Sequence, residues 1–271
     1  MDETTKTVRD YYDADVEAEW NRIAGRPEFL LTCRMLDRYI KPNDTVLDIG
    51  GGPGRYSLYL AEKGCNVTLL DLSAENTKFA MEEADRRRLF IQAIAGDARE
   101  ADSLTKGQLF DHVLLMGPLY HLLEESQRID AINAALNVLK PGGIIFASFL
   151  TLMAGIIYGM QHNPKAITYT AEAEFIKCFV AKKSFAGMAF TQALFIEQSE
   201  ILPLMAQFPL DKLHLFMQEG IMPTSEGNIM SQPKEIVDLW LDLCEKVWER
   251  EELLSWSEHL MYVGRKYKNC F

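Results

Sequence analysis

A chain of 271 residues that is 48% hydrophobic and 25% charged can bury one sizeable core and has an ordinary globular composition. Its formal net charge of −11 argues against a broad nucleic-acid or anionic-membrane surface. Cys33, Cys65, Cys178, Cys244 and Cys270 are odd in number and widely spaced, giving neither a zinc pair nor a disulfide framework. With an N-terminus that lacks signal-peptide character, this sets the expectation of a reducing, cytoplasmic setting.

Residues 7–24 carry Val8, Tyr11, Tyr12, Val16, Trp20 and Ile23 at roughly helical spacing. This helix either simply packs against the body or closes over a ligand with Tyr11, Tyr12 or Trp20. Arg26-Pro27 opens a second helix with one apolar stripe, Leu30, Cys33, Leu36 and Ile40, and Lys41-Pro42-Asn43-Asp44 ends it.

Next comes Thr45-Val46-Leu47-Asp48-Ile49, an apolar strand, followed by Gly50-Gly51-Gly52-Pro53-Gly54-Arg55. Glycine tolerates positive φ and lets a ligand lie against the backbone, while the following helix presents free N–H groups. A dinucleotide fingerprint needs glycine at the sixth loop position, where Arg55 stands, and no Gly-Lys-Ser/Thr follows to make a P-loop. Residues 65–70 read as a second strand ending at Asp71, where one carboxylate can hold both hydroxyls of a ribose. Gly64 caps the helix between them, and Ser73 caps the helix after Asp71. Residues 90–95 form a short third strand ending at Gly96-Asp97-Ala98, and 110–116 a fourth running into Gly117-Pro118-Leu119-Tyr120-His121.

The segment 124–139 is an amphipathic helix stopped by Pro141-Gly142-Gly143, and 144–149 is the fifth strand. No charged residue occurs from 141 to 164, but the part beyond the strand is too short to span a membrane. The region 151–196 holds an apolar helical piece, residues 169–180, and a strand-like run at 188–196. It reads as an inserted segment outside the carboxyl ends of the strands, with a dimer surface as the alternative. A helix at 200–208, a sixth strand at 213–217, an amphipathic helix through Ile236, Trp240 and Val247, and a final strand at 260–264 complete the chain.

In this order and spacing the chain resembles the class I S-adenosylmethionine-dependent methyltransferases. The resemblance rests on Val46 through Gly54, on Leu70-Asp71-Leu72-Ser73, on Gly96-Asp97-Ala98 and on Leu139-Lys140-Pro141-Gly142-Gly143. It covers residues 40–150, and 197–220 and 259–267 more loosely. Within the class the chain is similar to a small bacterial group of small-molecule-type enzymes with Gly117-Pro118-Leu119-Tyr120-His121-Leu122 after the fourth strand.

The resemblance implies an α/β fold: a Rossmann-like seven-stranded sheet, mainly parallel with an antiparallel last strand, plus N-terminal helices and inserted cap segments. Residues 1–40 are then a helical extension and lid, 41–150 the cofactor-binding core, 151–196 an acceptor-site cap, and 197–271 the rest of the core with an inserted helix at 233–250. It implies methyl transfer from S-adenosyl-L-methionine, with S-adenosyl-L-homocysteine as product, to a small molecule at O, N or another nucleophilic atom. The expected cofactor-binding residues are Asp48, Gly50, Gly51, Gly52, Gly54, Asp71, Leu72, Asp97, Ala98 and Met116.

The expected catalytic pair is His121 and Tyr120, with Tyr11, Tyr12 and Trp20 at the acceptor pocket or lid. His121 stands equally as general base, binding residue or structural histidine. His112, His162, His214 and His259 lack metal-ligand spacing, so no metal is expected. Enzymes acting on exocyclic amines of DNA bases place Asp or Asn before Pro-Pro-Tyr, whereas this chain has Gly117-Pro118-Leu119-Tyr120. A small-molecule substrate with no nucleic acid and no membrane partner is therefore favoured, with a homodimer left open. The competing readings are an RNA or protein methyltransferase and a non-catalytic cofactor-binding regulator.

Overall fold

β1 (Thr45–Ile49) is apolar toward both faces, as a central parallel strand must be: Val46, Leu47 and Ile49 are completely buried. The structure, a computed structural model, describes residues 2–268, so Cys270 lies outside the described residues. In chain order the further strands are β2 (Asn66–Asp71), β3 (Ile91–Ala95), β4 (Phe110–Leu115), β5 (Leu139–Leu150), β6 (Phe185–Met188), β7 (Gln192–Phe195), β8 (Leu210–Met217) and β9 (His259–Lys266).

Seven of them form one sheet in the order β3-β2-β1-β4-β5-β9-β8. β1 pairs in parallel with β2 and β4, β2 with β3, and β4 with β5. β9 enters antiparallel between β5 and β8. This is the Rossmann-like sheet with an antiparallel last strand that the sequence leads one to expect. The chain moves outward from β1 through β2 to β3, then returns to the other side of β1 for β4. That reversal opens a crevice beyond the carboxyl ends of β1 and β4, the place where open α/β sheets bind ligands.

Helices α1 (Glu3–Ala14), α2 (Val16–Arg22) and α3 (Pro27–Tyr39) precede the sheet; α4 (Arg55–Glu62) and α5 (Ala74–Arg87) follow β1 and β2. Three local expectations need correction. The single helix expected at 7–24 is two helices, because Asp15 at φ −151° breaks the first and its carboxylate caps the second through the Ala18 amide. The run at 188–196 is not one strand: β6 and β7 pair as an antiparallel hairpin, turning between Met188 and Gln192. The β4–β5 ladder already begins at Phe110 and Leu139, shifts register, and resumes at His112 and Ile144, so Pro141-Gly142-Gly143 is a bulge within β5.

The charge-free stretch at 141–164 divides between β5 and the helix Leu152–His162. Among the described residues no helix is long and apolar enough to cross a membrane. A second, smaller apolar cluster, Leu150, Leu152, Ala154, Phe175, Ala193 and Phe195, ties the segment after β5 to the hairpin and packs against Tyr120.

Leu47 is fully buried in the central strand. Leu47→Ala should therefore lower the unfolding free energy by about 2–5 kcal/mol in urea titration, through lost transfer energy and the cavity left behind. A loss well below about 1 kcal/mol would show that the sheet centre is not packed as described.

Candidate functional site

The loop after β1 is shaped by three left-handed glycines, Gly50 at φ 75°, Gly52 at 55° and Gly54 at 90°. At Gly50 a β-carbon would come within 2.3 Å of Pro118 Cδ and 3.0 Å of the Met116 carbonyl, so the loops after β1 and β4 touch through bare backbone. Asp71, at the end of β2, accepts the Gly52 amide at 2.7 Å on one oxygen. Its other oxygen accepts the Ser73 amide at 2.9 Å and the Asn76 side-chain amide at 3.2 Å. Burial raises the Asp71 carboxyl above the ordinary range, opposed by these bonds.

A cavity opens over these loops. Asp48, Gly50, Gly51, Gly52, Asp71, Leu72, Asp97, Ala98 and Met116 all line it, as do Tyr12, Tyr120 and His121. Gly54 does not: it is the N-cap of α4, where a β-carbon would meet Ala80 Cβ at 2.9 Å, and it serves helix packing instead. Of the three N-terminal aromatics only Tyr12 reaches the cavity. Tyr11 is exposed and packs on Tyr12 and Phe190, with ring centroids 5.2 and 5.8 Å away. Trp20 lies under the Arg55 guanidinium at 3.6 Å and gives its carbonyl to Arg55 Nε at 2.7 Å, joining α2 to α4.

Asp97 is held by its neighbour. Its Oδ1 accepts the Arg99 amide and Nε, each at 2.9 Å, and its Oδ2 accepts Arg99 Nη2 at 2.5 Å. Any donor reaching Asp97 from the cavity would have to share the carboxylate with Arg99.

His121 has both ring nitrogens engaged. Nδ1 lies 2.9 Å from the Gln192 carbonyl on β7, which can only accept, so Nδ1 carries the proton. Nε2 therefore accepts from the Tyr12 hydroxyl at 2.8 Å. Burial pushes the ring down to about 4, against the bond to Gln192, and leaves it neutral. The Tyr120 hydroxyl has no hydrogen-bond partner among the described residues, and burial raises it well above the ordinary phenol range.

The far end of the cavity holds residues to which sequence reasoning gave no role. Arg22 Nε donates to both Glu19 oxygens at 3.0 and 3.1 Å, and its Nη1 to Glu28 Oε2 at 3.2 Å. Tyr56, Asn76, Ser148 and Gln218 also line the cavity. Their positions are far apart in the chain, and Glu28 reads as an ordinary first-turn acid of α3, so no local pattern could have flagged them. Behind Glu28, Glu219 and His259 lie close enough together that the three could share an ion. Glu219 Oε1 instead takes His259 Nδ1 at 2.6 Å, which makes an ion pair; the residues come from separate elements, so spacing gave no sign of them.

Among the described residues three buried polar atoms on the cavity lining have no hydrogen-bond partner: Asp48 Oδ1, Tyr56 OH and Asn76 Oδ1. Buried polar groups are otherwise nearly always paired, so this arrangement fits a polar ligand.

Residues 46–143 match the family model described as Methyltransferase domain. The chain is 35% identical over 102 residues to the putative methyltransferase YqeM of Bacillus subtilis (strain 168), covering 37% of this chain and 40% of that protein. It is 32% identical over 172 residues to the ubiquinone biosynthesis O-methyltransferase of Coxiella burnetii (strain Dugway 5J108-111), covering 60% of this chain and 66% of that protein. The chain thus spans less than half the length of the first relative and about two thirds of the second. The structure superposes on magnesium protoporphyrin IX methyltransferase from Synechocystis PCC 6803 with a TM-score of 0.58 at 14% identity, covering 97% of this chain and all of that one. The fold is that of the class I S-adenosylmethionine-dependent methyltransferases.

Asp48 carries a pH signature. Burial raises its carboxyl to about 7 from 3.8, although the Ser57 hydroxyl bonds it at 2.7 Å. The folded chain therefore binds a proton that the unfolded chain releases near pH 4, and the stability this lends falls as pH rises from about 4 to about 7. Asp48→Asn should remove that fall, gaining about 2–4 kcal/mol on the parent between pH 4 and 8 in chemical denaturation. Parallel stability curves for the two proteins would contradict the assignment.

Proposed function

We propose that the chain binds S-adenosylmethionine in this cavity and transfers its methyl group to a small molecule, releasing S-adenosylhomocysteine. The observation that carries the reading is the convergence, on one cavity, of the glycine loop, the Asp71 carboxylate at the end of β2, Asp97 after β3 and Met116 after β4. The orphaned polar atoms of Asp48 and Asn76, on either side of Asp71, fit a ligand rich in hydroxyl and amino groups.

In this reading the backbone of Gly50 to Gly52 binds the amino-acid end, with Asp48 nearby. Asp71 holds the ribose hydroxyls, Asp97 receives the adenine amino group, the Ala98 amide donates to the ring, and Leu72 and Met116 sandwich it. The cofactor supplies an activated methyl on a sulfonium sulfur, so the protein's work is alignment and exclusion of water. Tyr12 and Tyr120 stand where the loop after β4 meets α1 and wall the transfer point. His121 holds the Tyr12 hydroxyl in place, and through it docks α1 on the β7 carbonyl. With both nitrogens occupied, His121 acts as a positioning residue rather than a free base.

The formal charge of −11 and a cavity closed by α1 and α2 favour a small acceptor over a nucleic acid. The run from Gly117 to Leu122 keeps the likeness to the small bacterial group of small-molecule-type enzymes.

Calorimetric titration tests the reading. S-adenosylmethionine and S-adenosylhomocysteine should bind with micromolar affinity, and NAD should not bind. Asp71→Asn should weaken binding at least about tenfold, since each charge-assisted hydrogen bond contributes about 1.5–3 kcal/mol. Unchanged affinity in this variant would remove the ribose assignment, and absence of binding by the parent protein would remove the function.

A further inference from the structure

We infer that a second copy of this chain docks, antiparallel and about a two-fold axis, on the outer face of the helix Lys234–Val247. The inference is independent of the methyl-transfer reading, because no residue of that helix lines the cavity.

The helix has two apolar faces where a surface helix needs one. Val237, Leu241 and Cys244, with Trp248 just after them, are buried and hold it to the body beside α3. A second stripe, Ile236, Leu239, Trp240 and Leu243, repeats at the same helical spacing and is 39–64% exposed. Val247, half-buried, extends it. Ile236 and Trp240, which mark this helix in the sequence, thus belong to the outer stripe. Single exposed apolar side chains are ordinary, but four in register along one helix make a continuous seam of the kind that another surface covers.

The charges beside the stripe identify the occupant. Most are already used within the chain. Lys234 pairs with Asp238 at 2.6 Å, and His214 with Glu249 at 2.7 Å. Arg34 of α3 pairs with Asp242 at 2.8 Å and Glu245 at 2.9 Å, and Arg38 with Glu245 at 2.6 Å. Glu235 and Lys246 are exposed and make no side-chain hydrogen bond or ion pair among the described residues. They stand eleven residues apart, about three turns, so both project from the same side of the helix, one near each end of the stripe.

A copy turned by half a revolution about the midpoint, between Trp240 and Leu241, sets Glu235 against the partner subunit's Lys246. The same rotation sets Lys246 against the partner subunit's Glu235, as an isologous contact requires. A parallel copy would instead set like charges together at both ends. The antiparallel pairing therefore matches the apolar stripe and both free charges at once. It also places Trp240 beside the axis, and aromatic anchors concentrate at the centres of interfaces. An anionic lipid surface fits less well, since the helix holds four acidic residues against two lysines in a chain of net charge −11. One helix face is smaller than the surface of a permanent dimer, so the association should be reversible and micromolar.

Sedimentation velocity of the full chain, from about 1 to about 200 µM in physiological salt, tests this. A monomer–dimer equilibrium should appear within that range. Trp240→Asp, a change at the surface, should weaken it at least about 20-fold with the circular dichroism of the parent. Glu235→Lys and Lys246→Glu should each weaken it at least about fivefold, because each places like charges together twice per dimer. The double variant Glu235→Lys/Lys246→Glu should return to within about twofold of the parent. A chain that stays monomeric throughout, or a dimer that Trp240→Asp leaves intact, overturns the inference. A double variant that associates no better than the single ones overturns the antiparallel pairing. A monomeric chain that sediments with phosphatidylglycerol vesicles, and loses this in Trp240→Asp, gives the face to a lipid surface and overturns the second copy.

Discussion

The bond from the Gly52 amide to the Asp71 carboxylate joins the end of β1 to the end of β2, and the cavity depends on it. A loop with three left-handed glycines has much backbone freedom to lose, and nothing in its own side chains fixes it. Asp71 supplies the missing constraint from the neighbouring strand, and the Ser73 amide and Asn76 side chain hold Asp71 in turn. Burying that carboxylate is unfavourable, and three N–H donors offset the cost without neutralising it. The same oxygens that order the loop remain at the cavity wall, with lone pairs that ligand hydroxyls can use. In the proposed reading, order in the loop and recognition at the wall come from one group.

A second constraint operates at the other end. α1 and α2 would be short, weakly stable helices by themselves. They are anchored by polar contacts spread along their length: Asp2 and Thr5 to Arg99, Asp13 to Ser73, Tyr12 to His121, and Trp20 to Arg55. Arg22 closes the series on Glu28 of α3. Thr5, Tyr12 and Arg22 themselves line the cavity, so the bonds that hold the N-terminal segment also fix part of the cavity wall. Polar anchoring of this kind exchanges with water more readily than an apolar seam does, which would suit the lid that the sequence leads one to expect there.

The sheet was legible in the sequence because its signal is local and strong. Apolar runs ending in Asp48, Asp71 and Asp97 and the turn after Leu139 put five parallel strands in order, and the resemblance supplied the antiparallel one. The break at Asp15 was missed because the apolar spacing of Val8, Tyr12, Val16 and Trp20 continues across it, while a caps-first reading of Asp15 would have found it. The hairpin at 185–195 was missed because Phe185, Leu194 and Phe195 pack on the cap's own cluster around Phe175, so its apolar pattern does not follow the main core. The cavity's nearer wall was named residue by residue from the motifs. Its farther wall, Glu19, Arg22, Glu28 and Gln218, is assembled from α2, α3 and the end of β8, and contacts between distant segments leave no periodicity to read.

The two histidines show why residue type alone could not assign the chemistry. By sequence His121 looked the better candidate, since it follows β4 where an acceptor approaches, and His259 carried no motif at all. Both sit in a low-dielectric interior that disfavours charge. At His121 burial dominates, its two hydrogen-bond partners are an uncharged carbonyl and phenol, and the Arg22 charge opposes protonation further. At His259 burial again disfavours the cation, but a fully hydrogen-bonded carboxylate 2.6 Å away, the charge of Glu28 and the hydrogen bond to Glu219 together exceed it. Burial thus amplifies whichever partner is present. It makes one imidazole a neutral clamp for α1 and the other a basic, oriented group at the carboxyl end of β5, so the partner that the fold delivers decides what each ring can do.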